Sequence, residues 1–323
     1  MIQVQNLTKD YGQLRALDNI SFTIPKGEIV GFLGPNGAGK TTTLKIMTCF
    51  MPPNSGNIYI DDLNIYQNSI QIRKKIGYLP EGCPLYGEMN VIDFLKFVAE
   101  LRDIQKNIIN KRIKEMIQTC GLKDVVHQEI GELSKGFRQR VGLAGAMIHN
   151  PEILILDEPT SGLDPNQIAE IRELIKRLGK EKTVLISTHI LREVEATCDR
   201  VIIIDKGKIV ADGPLTEIQN SFHNQNRVYF EIQADTKMLI EEFESLPDID
   251  NVQLYEQPAR QALAGGEDSL YKFYVNFSKD KDIRPDLYNF IKSKEWILFE
   301  MRAEQYSLED IFRQLTEKGE ETN

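Results

Sequence analysis

The run Gly34-Pro-Asn-Gly-Ala-Gly39-Lys40-Thr41 constrains this chain more than any other part of it. It has the form G-x-x-x-x-G-K-T and sits between a strand-like stretch, Glu28 to Leu33, and a helical one, Gly39 to Met47. A loop of this kind, spaced by Pro35, Asn36, Gly37 and Ala38, lets backbone N–H groups curl around phosphates while the next helix presents its positive N-terminus. Lys40 neutralises the transferable phosphate charge, Thr41 offers its hydroxyl to a magnesium ion, and Thr42 is placed to reach the α-phosphate. The site this predicts is one for a nucleoside triphosphate with Mg2+.

The rest of the pattern must supply a sheet for that loop. Ile2 to Leu7 and Asn19 to Ile24 read as added antiparallel strands. From Val91 to about Ile148 only amphipathic helical patterns occur, including Val91 to Leu101 and Lys111 to Cys120, which predicts a helical insert over about 88–148. Strands resume at Glu152 to Leu156, Thr183 to Ser187 and Arg200 to Asp205, with helices Pro165 to Leu178 and Ile190 to Thr197 between them. Alternation of this kind predicts an α/β domain over residues 1–220.

A polar stretch, Asn220 to Asn226, marks the expected boundary to a second domain, 221–323. Its elements run as strand Arg227 to Gln233, helix Thr236 to Leu246, strands Asn251 to Tyr255 and Leu270 to Phe277, helix Ile283 to Lys294 and strand Trp296 to Met301. This βαββαβ order predicts an α+β ferredoxin-like domain, with Gln257 to Asp268 as a loop and Ser307 to Thr316 as a last amphipathic helix.

A second chemical signal fits the first. Ile153-Leu-Ile-Leu156-Asp157-Glu158 is a buried-type strand ending in two carboxylates, where an open α/β sheet meets bound phosphates. Asp157 is the expected Mg2+ partner through water, and Glu158 the general base that deprotonates an attacking water.

Charge and composition exclude other classes. The net charge is −9, and residues 221–323 hold 12 Lys and Arg against 21 Asp and Glu, so all the acidity lies in the tail. A neutral body with an acidic tail is poor material for binding a phosphate backbone, and no nucleic-acid partner is expected. The longest apolar runs, such as Ile153 to Leu156, fall far short of the roughly 20 residues of a membrane span. No basic-then-apolar leader opens the chain, which predicts a cytoplasmic location. Four scattered cysteines, Cys49, Cys83, Cys120 and Cys198, lack disulfide or zinc spacing and are expected to be reduced packing residues.

Between the two chemical motifs lies Leu133-Ser134-Lys135-Gly136-Phe137-Arg138-Gln139-Arg140, and with it the chain resembles the ATP-binding cassette (ABC) ATPases, whose signature is L-S-G-G-Q followed by a basic run. Ser161-Gly-Leu-Asp164 resembles the family's D-loop, and Ser187-Thr188-His189 its switch-histidine loop. The resemblance implies ATP as the nucleotide, Tyr11 as the aromatic stacked on adenine, and His189 as the γ-phosphate sensor. Ser134 and Gly136 survive as signature donors although Lys135 and Phe137 replace a glycine and the glutamine. Glu81, after Tyr78-Leu79-Pro80, stands where the family has its Q-loop glutamine and implies a carboxylate beside Mg2+ or the attacking water. Leu79-Pro80-Glu81 followed by Pro84-Leu85-Tyr86, and the tail Ser307 to Phe312, are similar to the ABC-2 type exporters, including the gliding-motility branch.

In that family the phosphate loop and the signature belong to opposite faces of a composite site. The resemblance therefore implies two copies of the chain closing head to tail on two MgATP, with Ser134 and Asp164 contributed across the interface. It also implies separate ABC-2 type permease subunits that hold the ATPase on the inner face of the membrane. Two other classes are weighed against this. A soluble family member acting on ribosomes or nucleic acid is opposed by the lack of paired cassettes, a basic patch or a coiled-coil insert. A non-hydrolysing ATP sensor is opposed by the presence of Glu158 and His189.

Overall fold

The computed structural model describes residues 1–222, 226–234, 236–246, 249–259, 269–277, 282–294, 296–304 and 308–317. Its contacts divide the chain into two units, Met1–Leu215 and Thr216–Asn323.

The first unit opens with a long antiparallel hairpin, β1 (Ile2–Tyr11) and β2 (Leu14–Ile24), whose pairing ends at Tyr11 opposite Leu14. Both strands run further toward the turn than the expected Ile2 to Leu7 and Asn19 to Ile24. The extensions pair Lys9 with Leu17 and Asp10 with Arg15, a polar ladder without the apolar alternation that marks a strand. Next come β3 (Ile29–Leu33), α1 (Lys40–Met47), β4 (Ser55–Ile60), β5 (Leu63–Asn64), α2 (Ser69–Lys75) and β6 (Ile76–Leu79). The helical insert holds α3 (Val91–Leu101), α4 (Lys106–Thr119) and α5 (Lys135–Met147). The unit ends with β7 (Ile153–Asp157), α6 (Pro165–Gly179), β8 (Thr183–Thr188), α7 (Leu191–Thr197), β9 (Arg200–Asp205) and β10 (Lys208–Pro214).

Two sheets result. One is antiparallel, in the order β2-β1-β4-β5; the other runs β10-β9-β3-β8-β7-β6, parallel from β9 to β6 with β10 as an antiparallel edge. Strands β3, β7 and β8 are buried at every residue, as expected of parallel strands covered on both faces. One apolar core joins the sheets, drawing Ile2, Val4 and Ile58 from the first, Val30, Phe32 and Ile155 from the second, and Leu44, Ile46 and Met47 from α1. Burying each of these large side chains contributes about 1.5–3 kcal/mol. Helix α1 is thereby held at the carboxyl end of the parallel strands, facing the ends of β7 and β8. Strand β6, unannounced in the sequence because it is only four residues with a glycine in it, aligns Tyr78 with Ile155 and places Glu81 just past the sheet.

Helix α8 (Leu215–Phe222) crosses the division between the units. The second unit then has β11 (Asn226–Ala234), α9 (Thr236–Glu244), β12 (Asn251–Ala259), β13 (Ser269–Phe277), α10 (Arg284–Ser293), β14 (Ile297–Glu304) and α11 (Leu308–Glu317). Its sheet has the order β12-β13-β11-β14 with every neighbouring pair antiparallel. An aromatic core of Phe230, Phe243 and Phe273 fills one face, with Trp296 packed on it 6.0 Å from the Phe243 ring. The loop expected from Gln257 begins instead as strand through Ala259, which pairs with Leu270; the remainder of that loop, 260–268, lies outside the described residues, as do His223 and Ser307.

Candidate nucleotide site

The site is built from loops at the carboxyl ends of β3, β7 and β8. Between β3 and α1 the chain turns so tightly that two glycines are required. At Gly39 the backbone has φ +111°, a region L side chains rarely adopt, and a Cβ there would stand 2.7 Å from the Ala16 carbonyl oxygen. At Gly34 a Cβ would meet the Ile204 carbonyl oxygen at 2.3 Å. No side chain caps α1, so the first N–H groups of the helix are left for a ligand.

Lys40, 6% exposed, donates through Nζ to the carbonyl oxygens of Gly34 at 2.8 Å and Pro35 at 3.2 Å. The same ammonium lies 3.6 Å from Glu158 Oε1. Its charge is thus held inside the loop, where an entering phosphate meets it with little competing water. Thr41 Oγ1 donates to Asp157 Oδ1 at 3.3 Å, joining the start of α1 to the end of β7. Ser187, at the end of β8, donates its hydroxyl to the same Oδ1 and accepts from the Glu158 N–H at 3.2 Å. Asp157 Oδ2 is buried and has no hydrogen-bond partner.

A buried acceptor without a donor is costly, and here it points to a missing cationic or water-borne donor beside the Thr41 hydroxyl. Among the described residues no group of three or more His, Cys, Asp or Glu could cage a metal. A hydroxyl and a carboxylate side by side fit Mg2+, which keeps several waters and is bound by one or two carboxylates together with phosphates. Thr41 and Asp157 therefore fit as holders of the ion.

Glu158 itself is buried, with φ +48°, a left-handed backbone uncommon outside glycine and asparagine. Its carboxylate faces His189 Nδ1 at 3.0 and 3.1 Å. A carboxylate only accepts, so Nδ1 is the donor in this pair. His189 is half-exposed.

One cleft of about 550 Å3 is lined by Asn36, Gly37, Gly39, Lys40, Thr41 and Thr42 together with Glu81, Glu158 and His189. Tyr11, at the end of β1, is 46% exposed and lines the mouth with Leu14 and Ala16. Its ring lies under Lys9 Nζ at 5.6 Å and its hydroxyl donates to the thioether sulfur, Met51 Sδ, at 3.1 Å. Leu14 and Ala16 carry no sequence signal for this place, being apolar residues past a turn, while Ser161, which also lines the cleft, and Ser187 stand out in the sequence only as members of the two loops named above.

The structure does not bring the remaining predicted residues into this cleft. Ser134 caps α5, accepting from the Phe137 N–H at 3.4 Å, and Gly136 is buried against Gln167. Asp164 caps α6, accepting from the Gln167 N–H at 3.0 Å. None of the three lines the cavity that holds Lys40. Of the cysteines, Cys120 and Cys198 are buried as expected, while Cys49 and Cys83 are half-buried; all four are free thiols.

Comparison with known proteins agrees with this geometry. The family model described as ABC transporter matches residues 17–161. The uncharacterised ABC transporter ATP-binding protein YhcH of Bacillus subtilis is 38% identical over 236 residues, 71% of this chain and 74% of that protein. The bacitracin transport ATP-binding protein BcrA of Bacillus licheniformis is 35% identical over 85% of this chain and 89% of its own length. The dimeric structure of MJ0796, a bacterial ABC transporter cassette, superposes with a TM-score of 0.62 at 29% identity, covering 67% of this chain and 99% of that one. A phosphate loop, a carboxylate-ended strand and a histidine-bearing loop converging on one cleft, together with this degree of likeness, identify the chain as a member of the ABC transporter ATP-binding protein family.

Proposed function

We propose that this chain hydrolyses ATP as a head-to-tail pair and that the pair drives a separate membrane permease of the ABC-2 exporter type. The observation that carries the reading is the separation just described. Lys40, Thr41, Glu158 and His189 line one cleft, with Asp157 hydrogen-bonded to Thr41 beside it, while Ser134 and Asp164 cap helices and Gly136 lies in the first turn of α5, none of them lining it. A second copy would bring its signature to the open side of the cleft and complete it. The MJ0796 structures, one a dimer described as a post-hydrolysis state with ADP and phosphate bound, support this arrangement.

Within the cleft the roles follow from the contacts. The α1 N-terminus and Lys40 bind the phosphates, and Tyr11 offers a face for the base. Thr41 and Asp157, with Glu81 lining the same cleft, would hold Mg2+, which would supply charge neutralisation for the phosphates. Glu158 orients and deprotonates the attacking water; His189, donating through Nδ1, keeps that carboxylate in position and senses the terminal phosphate, whose oxygens accept only from an Nε2–H. Cleavage of the γ-phosphate then removes the contacts that hold the pair closed.

No helix among the described residues is long and apolar enough to cross a membrane, so the reading assigns the membrane passage to other chains and this one to the inner face. The second unit, taken as 221–323, is proposed to be a ferredoxin-like accessory or dimerisation module; its β12-β13-β11-β14 order supports that. Glu158→Gln, which keeps the shape and removes the base, should give an ATP-dependent dimer by size-exclusion chromatography with light scattering, and Lys40→Ala should abolish ATPase activity. A Glu158→Gln chain that stays monomeric with MgATP, or a Lys40→Ala chain with wild-type turnover, would overturn the reading.

A further inference from the structure

Glu193, in the first turn of α7, is 8% exposed, yet no lysine, arginine or histidine pairs with it among the described residues. Its two carboxylate oxygens are bound by two hydroxyls from different loops. Oε1 accepts from Thr160 Oγ1, and Oε2 accepts from Thr188 Oγ1 at 2.8 Å. Both threonines are themselves buried, at 6% and 0% exposure.

The two loops are those that carry the reacting groups. Thr160 lies two residues after Glu158, in a turn closed by the Ser161 N–H donating to the Glu158 carbonyl at 3.1 Å and the Leu163 N–H to the Thr160 carbonyl at 3.2 Å. Thr188 immediately precedes His189, and its Oγ1 also accepts from the Ile190 N–H at 3.0 Å, which sets the backbone on both sides of the histidine. A hydroxyl carries one donor and two acceptor positions, so the same Oγ1 donates to Glu193 while it accepts from Ile190.

A buried carboxylate is a poor choice for packing alone, because an apolar side chain of similar volume fills the space without desolvating a charge. What the carboxylate supplies is a fixed spacing between two hydroxyls. We infer that Glu193 is a positioning residue whose carboxylate clamps the loop of Thr160 to that of Thr188, and so holds the His189 imidazole against Glu158. The inference rests on the ATPase reading above for its effect on turnover, but not for its effect on the histidine.

The test compares Glu193→Gln, which keeps an acceptor and the shape, with Glu193→Leu, in the full-length chain. Misplacing a catalytic group by about 1 Å costs on the order of a hundredfold in rate, so Glu193→Leu should lower kcat by about 10- to 100-fold with KM within about twofold of wild type. Glu193→Gln should recover most of the loss. Independently of turnover, the His189 imidazole resonance, assigned by its disappearance in His189→Ala, should move in Glu193→Leu toward its position in Glu158→Gln. Should Glu193→Leu fail to fold, Thr160→Val and Thr188→Val serve instead: the clamp predicts that their combined effect on kcat is smaller than the product of the two. An unmoved imidazole signal, equal loss in the Gln and Leu variants, or independent threonine effects would each overturn the inference. A wild-type chain without ATPase activity would remove the functional reading while the imidazole measurement still decides the clamp.

Discussion

Gly37 and Gly39 both have positive φ, +82° and +111°, but their surroundings differ, and replacing each by alanine separates two costs. A Cβ at Gly37 meets nothing within 4 Å, so Gly37→Ala carries only backbone strain, about 1–2 kcal/mol. At Gly39 the strain is larger, about 1–3 kcal/mol, because φ lies beyond the ordinary left-handed well. There the new methyl also stands 2.7 Å from the Ala16 carbonyl oxygen and from Leu17 Cδ2, backbone and a fully buried side chain that can yield little. Such overpacking adds about 1–3 kcal/mol.

Gly39→Ala should therefore destabilise the first unit by about 2–6 kcal/mol. At roughly 2–4 °C per kcal/mol for a unit of this size, it should melt at least about 4 °C lower than wild type and clearly below Gly37→Ala. The assay is thermal unfolding by circular dichroism, following the transition that ATP shifts, alongside titration with a fluorescent ATP analogue. Gly39→Ala should also lose nucleotide affinity, since relief of the contact must displace the start of α1. Equal melting temperatures for the two variants, or a Gly39→Ala chain as stable as wild type, would refute the close packing of the loop against Ala16.

The half-buried His149 has its imidazole pushed down to about 4, first by burial and then by the nearby Arg102, Arg112 and Lys182, while Nε2 faces the Ile76 carbonyl at 3.1 Å. The unfolded chain takes up this proton near pH 6.5 and the folded chain only near 4, so the contribution is complete above 6.5 and is lost as pH falls toward 4. Partial exposure screens it to about 1–2 kcal/mol. Denaturant melts at pH 7 and pH 4.5 should show that His149→Gln loses less stability on acidification than wild type; equal losses would discount the burial of this ring. Tyr11→Ala should weaken ATP binding by about tenfold or more, the range for removing an aromatic from under a base, and leave Lys40-dependent phosphate binding measurable with pyrophosphate. Unchanged ATP affinity would take the base off that ring.

The parts of the site that could be read from sequence are those whose chemistry fixes both residue type and spacing. Gly34 to Thr41 announces a phosphate loop because glycine, lysine and threonine are each demanded at set positions, and β7 announces its carboxylates because a run as apolar as Ile153 to Leu156 must end where the sheet meets solvent. Contacts made across the fold left no such trace. Glu193 reads as an ordinary acidic residue on a helix, and only the approach of Thr160 and Thr188 in space gives it two partners. Ser187 likewise becomes a partner of Asp157 through the side-by-side pairing of β7 and β8, which places Asp157 beside Ser187.

Strand ends were legible where apolar alternation continued and not where polar ladders took over, as in the Lys9 to Tyr11 extension of β1. Short β6 escaped because four residues hold too little periodicity to distinguish it from a turn. In the second unit the apolar residues Val228, Phe230 and Ile232 at every second position made β11 plain, since all three join the apolar core.

Complementation between two inactive chains tests most directly whether each reaction site is shared. Lys40→Ala removes the phosphate-binding ammonium and Ser134→Ala the signature hydroxyl, so neither variant alone should turn over ATP appreciably. Mixed in equal amounts, they form heterodimers in which one of the two sites regains both groups, and about a quarter of wild-type activity per chain should return, on random pairing and independent sites. A mixture as inactive as its components, with heterodimers demonstrated by light scattering, would contradict the shared site.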